Sequence, residues 1–280
     1  DRGAPAHAVD ARDEDRLTAG QPDVGEGMNL LGDAIGWIFS GDPGRGFDAI
    51  PVAIGVQLLY TVVAVLIAGA IAVPLGWYIG HTGKGRETAV AISGAARAIP
   101  SFGLLILLTL LLGVLHKPEA AIISFVVLAI PSLLAGAYTG FEAIDRRVID
   151  AGRSMGMTES QILWRIEVPL GLPLLVGGIR AATLQVLATV TIAAYIGLGG
   201  LGQYIIAAIP LRRFDILIGG AILVAVLALV IDGLFALLQH LVVPRGIRAA
   251  GSAQPQPRSA RQRRAEALAV GAPTAPPATP

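Results

Sequence analysis

The chain has no cysteine, only four histidines, 5% aromatic residues and 15% charged residues among its 280 positions. Without cysteine there is no disulfide, no thiolate nucleophile and no sulfur-ligated metal, and the redox compartment cannot be read. His7, His81, His116 and His240 are scattered over loops and the ends of apolar runs without ligand spacing, so no metal site is expected. No Ser/His/Asp set converges in any segment, which disfavours nucleophilic catalysis. A soluble domain carries about 25% charged residues, so this chain is short of the polar surface it would need in water. In place of charge it has long apolar runs, 54% hydrophobic residues and a mean hydropathy of +0.68. The runs approach or exceed the roughly 20 residues that cross a bilayer, and they follow one another along the chain. The expected class is an all-α, multi-pass membrane protein.

The few charges are unevenly placed. Residues 1–50 hold ten acids and four bases, whereas residues 244–280 hold six arginines and one acid. Residues 1–27 read as a disordered acidic head and 244–280 as a disordered basic tail. Residues 28–40, "MNLLGDAIGWIFS", are too short to span. With Leu30, Leu31, Ala34, Ile35 and Ile38 at helical spacing, they suit an interfacial helix followed by a loop to residue 49. Five spans follow within 50–243, at about 52–79, 88–115, 119–141, 172–197 and 215–243. Lys84, Arg86, the four arginines of loop 142–170 and the arginine-rich tail share one side. By the positive-inside rule that side is cytoplasmic, which puts the N-terminus outside.

"YIGLGGLGQYI", residues 195–205, contains G-x-G-x-x-G at Gly197, Gly199 and Gly202, with Gly200 between. In a dinucleotide site that motif follows a short buried strand and opens a helix. Here it follows an apolar run too long for a strand, and Pro210 is expected to interrupt the helix after it. The glycines are better read as tight turns and close helix contacts where the fourth span leaves the membrane externally. "GHTGKG", residues 80–85, is likewise a near miss to a phosphate-binding loop. Tyr78 stands where its first glycine belongs, and Gly85 where a hydroxyl would meet Mg²⁺. Any nucleotide hydrolysis must come from another chain.

The long loop 142–170 carries the most information. Asp145 is placed to cap a helix over 146–155, and Gly156 to end it in a left-handed turn. Thr158 with Gln161 forms a capping box for a second helix over about 159–167, expected to stop before Pro169. Val148, Ala151, Gly152 and Met155 would share one face, and Ile162, Leu163 and Ile166 another. Such a pair of short helices is a docking element, or else a structured loop packed on its own bundle.

This loop resembles the signature of ABC importer permeases: Glu-Ala-Ala, three residues, Gly, nine residues, Ile-x-Leu-Pro. The chain has Asp150-Ala151-Gly152, Gly156, then Ile166-Glu167-Val168-Pro169, with both spacings intact and three conservative departures. The resemblance covers about 50–243 and implies a five-helix permease core of the methionine-importer type. Its loop would be the coupling helix held in a groove of an ATPase subunit, with Met155, Met157 and Glu159 in the contact region. Residues 138–182 together with the glycine turn look like permeases for glycine betaine, carnitine, choline and related osmoprotectants. A methionine-type or other small-solute importer is the alternative. The implied partners are ABC ATPase subunits, a second permease copy or sister permease, an external substrate-binding protein, a small quaternary amine and the lipid bilayer. No nucleic acid is expected. ATP and Mg²⁺ would sit on the ATPase, with no cofactor in this chain and no enzyme activity of its own. The implied location is the bacterial cytoplasmic membrane.

Three further features bear on a pathway. "AIPS" occurs at 98–101 and again at 129–132. Either this is a chance repeat, or Pro100 and Pro131 free carbonyls along a polar path. Tyr60, Phe102, Tyr138 and Tyr195 are candidate cation–π partners for a quaternary amine, or ordinary packing residues. Arg97, Arg180 and Asp232 each lie on the order of 14–16 Å from the cytoplasmic end of a span. Asp232 is expected to pair with Arg180 or Arg97, the alternative being arginines that snorkel alone. An ion-coupled transporter would need more membrane carboxylates or a second inverted half, and neither is visible.

Overall fold

The computed structural model describes residues 24–40 and 47–242. The head before residue 24 and the tail from 243, both expected to be disordered, lie outside the described residues, whereas 24–27, included in that expected disorder, are helical. The chain divides into a unit of residues 1–240 and a second from Leu241 onward, and the fold is that of the first. Among the described residues every regular element is helical.

Helix α1 is Val24–Ser40, so it starts four residues ahead of the segment read as interfacial. Helix α2 is Ile50–Thr82, α3 is Arg86–Ala98, α4 is Ser101–Leu112 and α5 is Lys117–Glu142. The loop region contains α6, Arg146–Ser154, and α7, Glu159–Ile162. A π turn, Leu163–Glu167, leads directly into α8, Val168–Ala193. Helices α9, Gly202–Leu211, and α10, Phe214–Val242, complete the fold. Four stretches are long and apolar enough to cross a membrane: Ile50–Thr82, Val114–Glu142, Glu159–Ile196 and Phe214–Leu241. The pair α3 and α4 makes a fifth if counted as one span, but it is bent by 84°.

That bend corrects the second span, which was expected to carry Pro100 in mid-helix. Ile99 is extended (φ −72°, ψ 125°) and Pro100 becomes the N-cap of α4. A residue before proline disfavours the helical region because the ring clashes with it. The same four residues at 129–132 continue through α5. Packing makes the difference. Ala129 and Pro131 are buried, whereas Ala98, Ile99 and Pro100 are exposed, so nothing holds the first copy straight.

The core is α5 clasped between α2 and α8. Along α2 the buried positions Ala64, Ala68, Ala72, Gly76 and Gly80 recur at every fourth residue, a stripe of small side chains. Small residues let two helix backbones approach closely, the main source of association where lipid removes the hydrophobic drive. A Cβ on Gly80 would lie 2.8 Å from Phe141 Cβ. Opposite, α5 and α8 meet backbone to backbone, with an added Cβ at Gly136 only 2.8 Å from Gly178 Cα. Gly136→Leu should therefore lower the melting temperature of the detergent-solubilised protein, by an overpacking cost of about 1–3 kcal/mol. Unchanged melting would contradict this contact.

Helix α1 lies against α9 and α10. Ala34 and Trp37 are buried, and Trp37 meets Tyr204 edge-on at 5.1 Å. Leu31 and Ile35, expected on the same apolar face, point outward and are about half exposed. Gly219 opens a recess for the Trp37 ring, and a recess on a distant helix has no local signal.

Candidate functional site: coupling loop, glycine turn and charge pair

The loop folds from its capping residues upward. The Asp145 carboxylate accepts from the Arg147 N–H at 2.9 Å, and Thr158 and Gln161 form both bonds of the capping box. Between them Gly156 takes φ +82°, the left-handed conformation in which a Cβ is unfavourable. Ile149, Ile162 and Ile144 make a small core of their own, with Met157, Ile166 and Leu170 against it.

Gly152 belongs to that core. An added Cβ would sit 3.0 Å from Ile166 Cδ1 and 3.5 Å from Met157 Sδ. The expected shared face of Val148, Ala151, Gly152 and Met155 is thus corrected: Gly152 turns inward while the other three are exposed. Met155 is 75% exposed and Trp164 59%. Asp150, Gly156, Glu159 and Pro169 are also on the surface. Arg153 donates to Glu159 through Nε at 2.9 Å and Nη2 at 3.2 Å, bracing the two helices across the Gly156 bend. The Glu159 carboxylate hydrogen-bonded to it holds the Arg153 guanidinium above its ordinary pKa.

The second helix does not stop before Pro169. Residues 159–162 run into the π turn and then into α8, with Pro169 in the first turn of α8. Proline lacks the N–H for one ladder bond, and the wider π turn, in which Val168 N–H donates to Leu163 O, carries the chain across that gap. Glu167 ends that turn with 3% exposure, and its Oε2 lies 2.5 Å from His81 Nδ1 at the end of α2. His81 Nε2 also faces Glu159 Oε2 at 3.7 Å. Trp77, one turn earlier, meets Trp164 edge-on at 5.7 Å and stacks on Phe141 at 6.1 Å. Sequence reading missed this cluster because its members come from segments far apart in the chain.

At the opposite end of the bundle, Gly197, Gly199 and Gly200 take φ of +79°, +81° and +76°. An α-helix, not a strand, precedes them, and α9 opens at Gly202. Pro210 does not interrupt α9, which runs to Leu211 because a proline in the last turn breaks only one bond. Gln57 of α2, fully buried, organises the turn. Its amide nitrogen donates to Leu187 O at 2.8 Å and Thr191 Oγ1 at 2.9 Å, and its Oε1 accepts from Leu201 N–H at 3.2 Å. The approach requires a bare backbone: a Cβ at Gly200 would lie 2.6 Å from Oε1, and one at Gly202 would overlap the Thr191 carbonyl.

Of the pathway candidates, Phe102 and Tyr195 come together, edge-on at 5.3 Å, both exposed. Tyr60 and Tyr138 pack on the main core instead. Pro100 lies at the bend beside Phe102, and Pro131 is buried within α5. Among the charges, Arg180 donates to Asp232 in bidentate fashion, Nε to Oδ1 and Nη2 to Oδ2, both at 2.6 Å. Arg97 does not join them. It sits exposed in the last turn of α3, because the bend at Pro100 ends the straight span that would have placed it deep. Gln239 adds a second tie from α10 to α8, donating to Pro173 O at 3.3 Å.

Residues 72–245 match the family described as binding-protein-dependent transport system inner membrane component. The glycine betaine/carnitine/choline transport system permease protein of Bacillus subtilis (strain 168) is 31% identical over 194 residues, 69% of this chain and 88% of that protein. The carnitine transport permease protein of Listeria monocytogenes is 34% identical over the same shares. In structure, a chain of an inward-facing methionine ABC transporter superposes with a TM-score of 0.60 at 23% identity, over 68% of this chain and 94% of that one. The chain belongs to the binding-protein-dependent transport system inner membrane component family: it is a multi-pass permease subunit of an ABC importer, whose ATP hydrolysis resides on a separate ATPase.

Proposed function

We propose that this permease carries small quaternary-amine osmoprotectants, of the glycine betaine, carnitine and choline class, into the cell. The observation that carries the reading is the braced helix–Gly156–helix loop, whose Val148, Ala151 and Met155 side chains are exposed while its own core is complete. A loop that needs none of its outer apolar residues for its own stability has them free for a groove on an ATPase. The solute class is supported by the names of the relatives. Two ATPase subunits bind ATP and Mg²⁺, and this chain pairs with a second copy or a sister permease, since one five-span unit is too small to enclose a path. An external binding protein delivers the solute. The loop faces the cytoplasm and the glycine turn the outside, with the N-terminus external and the C-terminus cytoplasmic.

The test is uptake into vesicles holding the permease, its ATPase and its binding protein, with labelled glycine betaine, carnitine and choline, and methionine as the comparison. Uptake of methionine and of none of the three amines would overturn the solute class. Gly156→Arg should insert normally but lose solute-stimulated ATP hydrolysis. An added Cβ meets nothing within 4 Å there, so the fold bears only roughly 1–2 kcal/mol of left-handed strain. The long cation, however, protrudes where the ATPase docks. Normal transport by that variant would remove the docking role.

A further inference from the structure

We infer that the end of α2, through Trp77 and His81, receives the motion of the coupling loop and carries it as one piece with the loop to the glycine turn. The inference rests on the importer reading above. Trp77 and His81 are four residues apart, hence on one helix face, and that face holds the loop twice. Trp77 meets Trp164 inside the π turn, and His81 meets Glu167 at its end and Glu159 at the start of α7. Arg153 extends the chain of contacts from Glu159 into α6, beside the exposed docking face. The grip is therefore polar and aromatic at once, and it fixes both short helices of the loop to α2 rather than to α8 alone.

A carboxylate as buried as Glu167 is costly unless partnered, and its partner in the structure is a side chain of another span. The opposite end of α2 repeats the arrangement. Gln57, about 36 Å away along the helix at 1.5 Å per residue, holds α8 and the glycine turn through three hydrogen bonds. Displacement of the loop thus has a continuous route through α2 to the turn. By contrast α3 and α4 are bent and largely exposed, and α10 is the least buried of the spans.

The experiment uses the complete complex in vesicles and reads solute moved per ATP hydrolysed. The wild-type complex must first show solute-stimulated hydrolysis and uptake; their absence would count against the importer reading, not against the lever. In the double variant H81L/E167L both polar partners become apolar, so no buried carboxylate is left unpaired. It should assemble and hydrolyse ATP, with the ratio falling roughly fivefold or more, the scale of a single coupling energy. H81Q, which keeps a donor opposite Glu167, should retain most of the ratio. A wild-type ratio in H81L/E167L would overturn the inference, and so would an equal loss in H81Q.

A second measurement decides the case if the double variant does not assemble. The chain has no cysteine, so W77C/W164C can be joined specifically by a short bifunctional thiol reagent. If α2 and the loop move as one piece, the unlinked variant loses part of the ratio with the two rings, and linking raises solute moved per ATP above the unlinked value. Arrest on linking would mean that they must separate, and the lever would be wrong.

Discussion

Gly200→Leu is expected to abolish ATP-driven uptake while leaving membrane insertion and ATPase association largely intact. Two separate costs meet at this residue. Its φ of +76° is open to glycine but costs a residue with a Cβ about 1–2 kcal/mol. The new side chain also points at Gln57 Oε1, 2.6 Å from where the Cβ would be. Displacing Gln57 leaves its buried amide and the Leu201 N–H without partners, at about 1–3 kcal/mol for each unsatisfied group. A local structure with those costs cannot keep its geometry. The apolar spans that govern insertion, and the loop at the other end, are not touched. Uptake and ATPase co-purification on the same preparation check this. Normal uptake would make the turn a passive connector.

Asp232→Arg is expected to remove most of the folded, monodisperse protein, and Arg180→Asp added to it should restore a substantial part. Asp232 accepts two hydrogen bonds from Arg180, which tie the middle of α10 to α8. Gln239 adds a donation to the Pro173 carbonyl. Two arginines facing each other between α8 and α10 would repel where the pair now attracts, and would do so in a medium that screens poorly. The exchange recreates the same bidentate geometry with the partners reversed. Arg97→Asp should give no rescue, because Arg97 lies beyond the bend on a separate helix. Size-exclusion profiles of the three variants test this. Failure of the Arg180 exchange would mean that the pair does not hold α10.

Features that depend on neighbours within a few residues were legible in the sequence. The Asp145 cap, the Thr158–Gln161 box and the left-handed Gly156 all form where the spacing puts them. The Arg180–Asp232 contact was accessible by another route, since helical rise converts residue number into depth and charges at one depth seek each other. The remainder needed information that no local window contains. Gln57 stands alone in a long apolar run and reads as a tolerated polar residue. Only the fold brings it to a turn 144 positions away. His81 sits in a failed phosphate-loop motif, and its importance comes from Glu167, 86 positions later. Pro100 and Pro131 show the limit most directly, because identical tetrapeptides bend one helix and continue another according to what is packed around them.

The π turn at Leu163–Glu167 also sets an angle. An α-helix advances about 100° around its axis with each residue, and a π turn takes in one residue more than an α turn would. Everything before it is therefore rotated relative to α8 by an increment that an uninterrupted helix would not supply. In this chain the rotation decides which way the loop faces. It turns Trp164 and Glu167 onto α2 while Val148 and Met155 look away from the bundle. Residues 163–167 thus act as a phase shifter between the helix that crosses the membrane and the one that leaves it. Their number, as much as their chemistry, determines the bearing of the docking face.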